Sequence, residues 1–217
     1  MSGVLMLDAL RVTLRGQTLV DLTTSVTPGD ILTIMGPSGT GKSTLLAAII
    51  GTLPAEFRQS GTITLAGRDI GTLPTRLRRV GILFQDDILF PHLSVGQNLA
   101  FALPPTSGPP SARRDRIEAA LASADLSGFA DRDPATLSGG QRARVALLRT
   151  LLADPCALLL DEPFSRLDSD LRAQIRSFVF DSARAAGVPV ILVTHEAEDA
   201  RAAGGRVLSP LGKPAPI

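Results

Sequence analysis

Residues 36–44 form the loop Gly36-Pro37-Ser38-Gly39-Thr40-Gly41-Lys42-Ser43-Thr44. A short apolar run, Ile31–Met35, precedes the loop, and a helix-compatible run, Ser43–Ile50, follows it. Glycines at a strand-to-helix turn let consecutive backbone N–H groups point inward, and the helix adds its positive N-terminal end. In the pattern G-x-x-x-x-G-K-[ST], the lysine reaches the β- and γ-phosphates and the next hydroxyl ligates Mg²⁺. The loop therefore predicts a nucleotide-phosphate site in which Lys42 and Ser43 hold these two roles.

Three short runs predict buried strands because they are apolar almost throughout: Ile31–Met35, Cys156–Leu160 and Val190–Thr194. Such runs are typical of a parallel sheet that is covered on both faces. Weaker strand candidates, which we assign to a smaller flanking sheet, are Val4–Leu7, Thr62–Leu65 and Val80–Phe84. Strands that alternate with helical patterns predict an α/β fold with a mostly parallel sheet.

Helical patterns lie between the strand candidates. One helix face is traced by Leu171, Ile175, Phe178, Val179 and Ser182, and Asp168 or Ser169 is expected to cap this helix, with Gly187 ending it. Cys156 lies in a strand candidate and is interpreted as a small strand residue.

The middle of the chain, from about Asp86 to Leu152, differs because it contains no convincing strand. A breaker-rich stretch, Pro104–Pro110, precedes Ser111, which we expect to cap a helix carrying Ile117, Ala120, Leu121 and Ala124. We therefore expect a single domain, 1–217, whose α/β core is formed by 1–85 and 153–217, with 86–152 as an inserted helical subdomain. The tail, Ser209–Ile217, is expected to be irregular.

Composition bounds the class of protein. The 217 residues are 44% hydrophobic and 20% charged, which suits a globular domain with a sizeable core. The net charge of +1 gives no indication of a nucleic-acid partner. The only lysines are Lys42 and Lys213, and the single cysteine excludes a disulfide framework. Met1–Val12 shows no signal peptide, and no apolar stretch reaches the roughly 18 residues that span a bilayer, so membrane association is expected through a partner.

Two carboxylates follow a predicted buried strand, in the run Leu158-Leu159-Leu160-Asp161-Glu162. Asp161 is placed to hold Mg²⁺ through its water shell, and Glu162 is placed to polarise an attacking water. Solvated carboxylates at a strand end would be the ordinary interpretation. The phosphate-binding loop elsewhere in the chain favours the functional one.

A second candidate anion site is Leu137-Ser138-Gly139-Gly140-Gln141-Arg142, which precedes a helix-compatible run, Ala143–Leu152. The Ser138 hydroxyl, the exposed glycine N–H groups and the helix dipole all suit an anion. A simple N-capping turn explains the same residues equally well.

These elements together resemble the nucleotide-binding subunits of ABC transporters over essentially the whole chain, with six motifs in the family's order. The resemblance implies an ABC ATPase that uses ATP as substrate and Mg²⁺ as cofactor. By the resemblance, Gln85 contacts Mg²⁺ and senses the membrane partner, and Glu162 is the catalytic base. Ser138–Gln141 binds the γ-phosphate that is held by the other subunit of a head-to-tail dimer, in which Asp168 belongs to the D-loop. His195 contacts the γ-phosphate, again by the resemblance. It also implies a homodimer or paired ATPase subunits, without nucleic acid as partner.

Within the family, Gly81–Asp86 and Leu160–Asp168 resemble importer ATPases of the thiamine, polyamine, iron(III) and sulfate/molybdate group, and a short uncharacterised bacterial branch. Phe90–Asn98 resembles the segment that helps form the groove for the coupling helix of a membrane subunit, whereas His92 is given no catalytic role. The resemblance implies two permease subunits, an extracytoplasmic solute-binding protein and a location on the cytoplasmic face of the inner membrane. It does not identify the solute.

Three departures from the family pattern modify these expectations. Val12–Gln17 lacks the usual adenine-stacking aromatic, so Leu14 makes an apolar contact or Arg15 stacks as a planar cation, and base discrimination is expected to be weak. Arg166 stands where a small residue is common, and it either pairs with an acid across the dimer or points to solvent. The chain ends soon after His195, so we expect no C-terminal regulatory domain.

Two other functions compete with transport. ABC ATPases that act on DNA or ribosomes usually carry two cassettes, a coiled-coil insertion or a basic arm, and none of these features is visible in the sequence. A module that binds ATP without hydrolysing it would not require both Glu162 and His195.

Overall fold

The computed structural model describes residues 3–216, except for the side chain of residue 170. Expectations that concern the first two residues and the last one therefore lie outside the described residues. These include the start of the segment tested for a signal peptide and the ends of the 1–217 domain.

A five-stranded parallel sheet forms the centre of the fold, in the order β6-β7-β8-β3-β9. Its strands are β3 (Ile31–Met35), β6 (Val80–Leu83), β7 (Ala157–Asp161), β8 (Val190–Thr194) and β9 (Val207–Leu208). Strands β3 and β8 coincide with the predicted runs. Cys156 was wrongly included in its strand, since it precedes β7 and donates its backbone N–H to the Arg79 carbonyl at 2.7 Å.

A four-stranded antiparallel sheet flanks the first, in the order β2-β1-β4-β5. Its strands are β1 (Leu5–Leu14), β2 (Gln17–Val26), β4 (Phe57–Leu65) and β5 (Arg68–Asp69). The assignment of Val80–Phe84 to this flanking sheet was wrong, because β6 pairs in parallel with β7 at the edge of the central sheet. An isolated apolar run carries no information about its pairing partner.

The helices are α1 (Lys42–Ile50), α2 (Thr75–Arg78), α3 (Val95–Ala102), α4 (Pro110–Ser123), α5 (Gly139–Leu152), α6 (Ser169–Ala185) and α7 (Ala197–Ala203). Asp168 caps α6 by accepting the Leu171 N–H at 3.0 Å, as one of the two predicted alternatives requires. Ser111 does not cap α4, because that helix already begins at Pro110, whose fixed φ suits a first turn.

The inner strands β7, β8 and β3 are buried on both faces because their alternate residues enter two different cores. Leu159, Ile191 and Ile34 face a cluster shared with α1 and the antiparallel sheet. Leu160 and Leu192 face a second cluster shared with α5 and α6. Because both faces of these strands are buried, their sequences are continuous apolar runs.

The described residues 86–152 contain helices and no strand, and α3, α4 and α5 enclose a third apolar cluster. Helix α5 contributes Val145 and Leu148 to this cluster, while Ala146 and Leu147 enter the cluster beneath the central sheet. The tail after β9 is irregular as far as it is described, apart from an isolated bridge between Leu208 and Pro214.

Candidate active site

The loop between β3 and α1 depends on glycine at two positions. Gly39 and Gly41 have φ values of +80° and +101°, which side chains rarely tolerate. A Cβ on Gly41 would lie 2.4 Å from the carbonyl oxygen of Leu19 in β2. The loop is therefore shaped by close backbone contact with the antiparallel sheet, and it delivers Lys42 at the start of α1.

Lys42 is buried, with 6% of its surface exposed. Its Nζ donates to the carbonyl oxygens of Gly36 at 2.7 Å and Pro37 at 3.0 Å, which holds the ammonium group across the mouth of the loop. Thr40 Oγ1 also donates to the Pro37 carbonyl, at 2.8 Å. A cavity of about 200 Å³ adjoins the ammonium group, lined by Ser38, Gly39, Gly41, Lys42, Ser43, Thr44 and Glu162.

Glu162 stands at the carboxyl end of β7 with an unusual backbone, at a φ of +48°. Its N–H donates to the Val193 carbonyl at 2.9 Å, and its own carbonyl accepts the Ser165 hydroxyl at 3.0 Å. Its Oε1 lies 3.7 Å from Lys42 Nζ and its Oε2 lies 3.0 Å from His195 Nδ1. Seven other described non-glycine residues also have a positive φ, so the contacts of the Glu162 carboxylate, and not its backbone alone, indicate a functional site.

Asp161 immediately precedes Glu162, and its electrostatic environment is unfavourable for a charged carboxylate. Burial raises its pKa above the ordinary value, the negative charge of Glu162 raises it further, and the positive charge of Lys42 partly opposes both effects. A divalent cation would relieve this strain, and the carboxylate and hydroxyl oxygens of Asp161 and Ser43 are donors that Mg²⁺ accepts. The donor chemistry therefore fits Mg²⁺, although the described residues contain no cluster of three or more His, Cys, Asp or Glu side chains that could hold a metal unaided.

His195 follows β8, and its side chain is half exposed. Besides the contact with Glu162, its Nε2 lies 3.5 Å from Oε1 of Glu196. The same Glu196 oxygen lies 3.7 Å from Nη1 of Arg172 in α6. Lys42, Glu162 and His195 thus form a continuous line of polar groups over the phosphate-binding loop.

Other predicted site residues lie elsewhere on this chain. Gln85 is exposed at the end of β6 and lines a separate cavity of about 410 Å³, together with Gly139, Arg142 and Arg166. The Ser138 side chain accepts the Gln141 N–H at 3.3 Å, and Gln141 Oε1 accepts the Ser138 N–H at 3.0 Å. These reciprocal bonds form a capping box at the start of α5, so the N-capping interpretation of this turn holds in the structure.

Arg166 forms an ion pair with Asp86 of the same chain, and its side chain stays 62% exposed, which agrees with the alternative that it points to solvent. A second link runs from Arg142 Nε to Asp87 Oδ2 at 3.5 Å. The segment after Gln85 is therefore tied to α5 and to the loop before α6. In Phe90–Asn98, the buried Asn98 side chain bonds to the backbone N–H and carbonyl of Phe90.

Sequence reasoning missed a buried polar group next to the histidine. Asp199 in α7 is 2% exposed and accepts hydrogen bonds from the Thr194 hydroxyl and from Arg176 in α6, each at 3.0 Å. The available signal was an acid four residues beyond His195, at the start of a helix that directly follows a strand. That signal identifies Asp199 but not its partner in α6.

The phosphate-binding loop at the carboxyl edge of a parallel sheet, with a lysine, two carboxylates and a histidine beside it, defines a P-loop ATPase. The family described as "ABC transporter" matches residues 19–165, which is more than half of the chain. The chain therefore belongs to the ABC transporter family, as predicted, and its fold is that of an ABC ATPase. ATP binding follows from this membership.

Several named relatives are similar to the chain. The uncharacterized ABC transporter ATP-binding protein YnjD of Escherichia coli K12 is 52% identical over 181 residues, covering 83% of each chain. The sulfate/thiosulfate import ATP-binding protein CysA of Gloeobacter violaceus is 42% identical over 184 residues, 85% of this chain and 53% of its own length. The thiamine import ATP-binding protein ThiQ of Cereibacter sphaeroides is 42% identical over 174 residues, 80% of this chain and 74% of its own. The chain thus spans about half the length of the sulfate/thiosulfate relative.

A helix that could cross a membrane would have to be both long and strongly apolar, and none in the described part of the chain meets both conditions.

Proposed function

We propose that the chain hydrolyses MgATP to drive the import of a solute through separate membrane subunits. The observation that carries this proposal is the position of Glu162, whose carboxylate lies between the buried ammonium group of Lys42 and the ring of His195, beside the phosphate-loop cavity. The import direction is supported by relatives named for sulfate/thiosulfate and thiamine import. The solute itself is not indicated by either name, because the two differ.

In this proposal the loop binds the phosphates through the backbone N–H groups of residues 36–44 and through Lys42. Ser43 and, through water, Asp161 would hold Mg²⁺, which would supply charge neutralisation at the phosphates. Gln85, which lines a separate cavity in this structure, would join them when the nucleotide is bound. Glu162 accepts a proton from the attacking water, and His195 orients the Glu162 carboxylate and contacts the γ-phosphate. The 3.0 Å contact between His195 Nδ1 and Glu162 Oε2 supports that orienting role.

A complete site in this proposal needs two copies of the chain, or this chain paired with a second ATPase subunit. Residues 138–141 are not among the described residues that line the phosphate-loop cavity. They present the N-terminus of α5, where Ser138 caps the Gln141 N–H and the N–H groups of Gly139 and Gly140 have no partner within the helix and can attract an anion. The γ-phosphate bound by the other copy would therefore contact this turn, at Ser138, Gly139, Gly140 and Gln141. Asp168 would cross the interface nearby.

The proposed partners in the membrane are two permease subunits, together with an extracytoplasmic solute-binding protein. These partners would hold the chain at the cytoplasmic face of the inner membrane. Phe90–Asn98 would receive the coupling helix, and residues 86–152 would move as a helical subdomain against a core formed by 1–85 and 153–217. The Phe90 ring, which packs edge-to-face on the 71% exposed Phe101 at 4.9 Å, supports an apolar contact there.

The assigned base is tested by Glu162→Gln, with Glu118→Gln on the exposed face of α4 as a matched control. Glu162→Gln should bind ATP, lose at least about 100-fold in kcat and accumulate an ATP-bound dimer, because the variant cannot take the proton from water. Glu118→Gln should hydrolyse ATP like the parent chain. Turnover by Glu162→Gln within a few-fold of the parent would refute the assigned base.

The trans role of the signature loop is tested by Ser138→Arg, with Ser123→Arg on α4 adding the same charge at another exposed serine. Ser138→Arg should retain nucleotide binding and stay monomeric when size-exclusion chromatography is run with ATP in the Glu162→Gln background. Ser123→Arg should dimerise in that background. A closed ATP-bound dimer of the Ser138→Arg chain would overturn this role.

A further inference from the structure

Helix α6 carries two arginines, one turn apart, that both contact carboxylates of the segment after β8. Arg172 Nη1 lies 3.7 Å from Glu196 Oε1, and Arg176 Nη1 donates to Asp199 Oδ1 at 3.0 Å. The Arg176 side chain is 15% exposed and the Asp199 side chain 3%, so this second pair is shielded from solvent. A shielded, hydrogen-bonded ion pair holds its geometry more strongly than an exposed pair does.

The buried carboxylate of Asp199 passes this constraint on to the turn that holds the histidine. Its Oδ2 accepts the Thr194 hydroxyl at 3.0 Å. The Thr194 oxygen in turn accepts the backbone N–H of Glu196 at 3.0 Å. Thr194 and Glu196 are the two neighbours of His195, so the backbone is fixed on both sides of that residue.

This support matters because the His195 side chain is only about half buried. Its side chain is 47% exposed, and its contacts in the structure are polar ones with Glu162 and Glu196. A half-exposed ring keeps its direction better when the backbone that carries it is fixed by hydrogen bonds. The Thr194 hydroxyl provides such bonds, since it donates to Asp199 and accepts the Glu196 N–H.

The same helix also contacts the loop before it. Arg172 Nη2 donates to the Leu167 carbonyl at 3.0 Å, and Asp168 caps the first turn of α6. The loop at Arg166–Asp168 and the turn at Thr194–Glu196 are thus attached to one rigid helix.

We propose that Asp199, Arg176 and Thr194 are positioning residues that hold His195 against Glu162 and so set the rate of ATP hydrolysis. The proposal rests on the proposed roles of Glu162 and His195. None of the three positioning residues touches the nucleotide site, and their effect passes through the backbone on either side of His195. Loss of the Thr194 hydroxyl should therefore lower kcat and leave the binding of ATP to the loop unchanged.

The test compares Thr194→Val with Thr194→Ser in the full chain. Valine keeps the branched shape but cannot bond to Asp199 or to the Glu196 N–H, whereas serine keeps the hydroxyl. Thr194→Val should lose about 10- to 100-fold in kcat, as expected for a small misplacement of a catalytic group, with KM for ATP changed less than about threefold. Thr194→Ser should restore most of the lost rate.

A spectroscopic measurement separates positioning from general loss of stability. The chain contains two histidines, so the imidazole NMR resonances of His195 and His92 can be assigned with one variant of His92. The His195 resonance should move in Thr194→Val and in Asp199→Asn, a change that keeps the size of the side chain. Neither the resonance nor kcat should change in Arg184→Ala, which removes another bond between α6 and α7, from Arg184 to the Ala203 carbonyl at 2.9 Å.

The outcomes distinguish this proposal from the proposed function. If His195→Ala is slow but Thr194→Val keeps both the parent kcat and the parent His195 resonance, the positioning role is wrong and the proposed function stands. If Thr194→Ser is as slow as Thr194→Val, the hydroxyl is not the cause and the positioning role is also wrong. If His195→Ala itself hydrolyses ATP normally, the assigned role of His195 fails and the positioning role fails with it.

Discussion

Replacement of Arg78 is expected to destabilise the fold strongly, because its buried guanidinium group bonds to four backbone carbonyls. Arg78 is 7% exposed and donates four hydrogen bonds of 2.8 Å to backbone carbonyls. Two of these carbonyls belong to Ala48 and Ile49 at the C-terminal end of α1, and the other two belong to Gly71 and Leu73. Because the last carbonyls of a helix have no partner within it, the guanidinium group completes the end of the helix whose start carries Lys42.

The magnitude follows from these bonds and from the cost of burying the charge. Hydrogen bonds from a charged group contribute about 1.5–3 kcal/mol each, and several made by one side chain are not additive. Burial lowers the pKa of Arg78, and the charge of Asp69 partly opposes this, so desolvation of the guanidinium offsets some of the gain. We expect Arg78→Met, which keeps the stem and removes the donors, to lower the free energy of unfolding by about 3–5 kcal/mol.

Urea unfolding followed by circular dichroism measures this change. With an m value of about 2–3 kcal/mol/M, the midpoint should fall by about 1–2.5 M. The matched control is Arg79→Met, because the adjacent Arg79 is exposed and bonds to a single carbonyl, that of Asp154, at 2.7 Å. That control should cost less than about 1 kcal/mol. Equal losses for the two variants would refute the assignment of the stability to the buried donors.

Three further predictions concern the nucleotide site. Asp161→Asn should raise the thermal stability of the nucleotide-free chain at pH 7, because the raised pKa of Asp161 means that its charged form lowers the free energy of unfolding. The gain should shrink as the pH falls toward the ordinary aspartate pKa near 4, since the carboxyl group of the parent chain then becomes neutral. A gain that grew on acidification would contradict the sign of the shift, and calorimetry at several pH values decides. Gly41→Ala should abolish nucleotide binding measured by fluorescence titration, because its Cβ would meet the Leu19 carbonyl at 2.4 Å, whereas Gly39→Ala, with open space around its Cβ, should weaken it less. Finally, the affinity of the chain for GTP in a competition assay should lie within about tenfold of its affinity for ATP, since Arg15 occupies the tip of the β1–β2 turn in place of an aromatic residue. A strong preference for adenine would contradict this prediction.

Prediction from the sequence succeeded where a signal was local. Ile31–Met35 and Val190–Thr194 were identified to the residue because both faces of a central parallel strand are buried, which leaves an uninterrupted apolar run. The prediction failed for Val80–Phe84, whose apolar character is compatible with either sheet. Ser111 was favoured as a cap by residue type, yet the proline before it starts α4 one residue earlier.

The sequence by itself determined the family and the phosphate-binding loop, because glycine positions, a lysine and a hydroxyl act at fixed spacing along a few residues. It also singled out Glu162 and His195 as candidates for the proposed site, although only because each follows a buried strand. Tertiary structure alone decided that Glu162 meets both Lys42 and His195, and that Arg176 of α6 reaches Asp199 of α7. These contacts join residues far apart in the chain, and they depend on the order and register of the strands and on the packing of helices against them. No short run of residues determines the order of the strands or the packing of the helices.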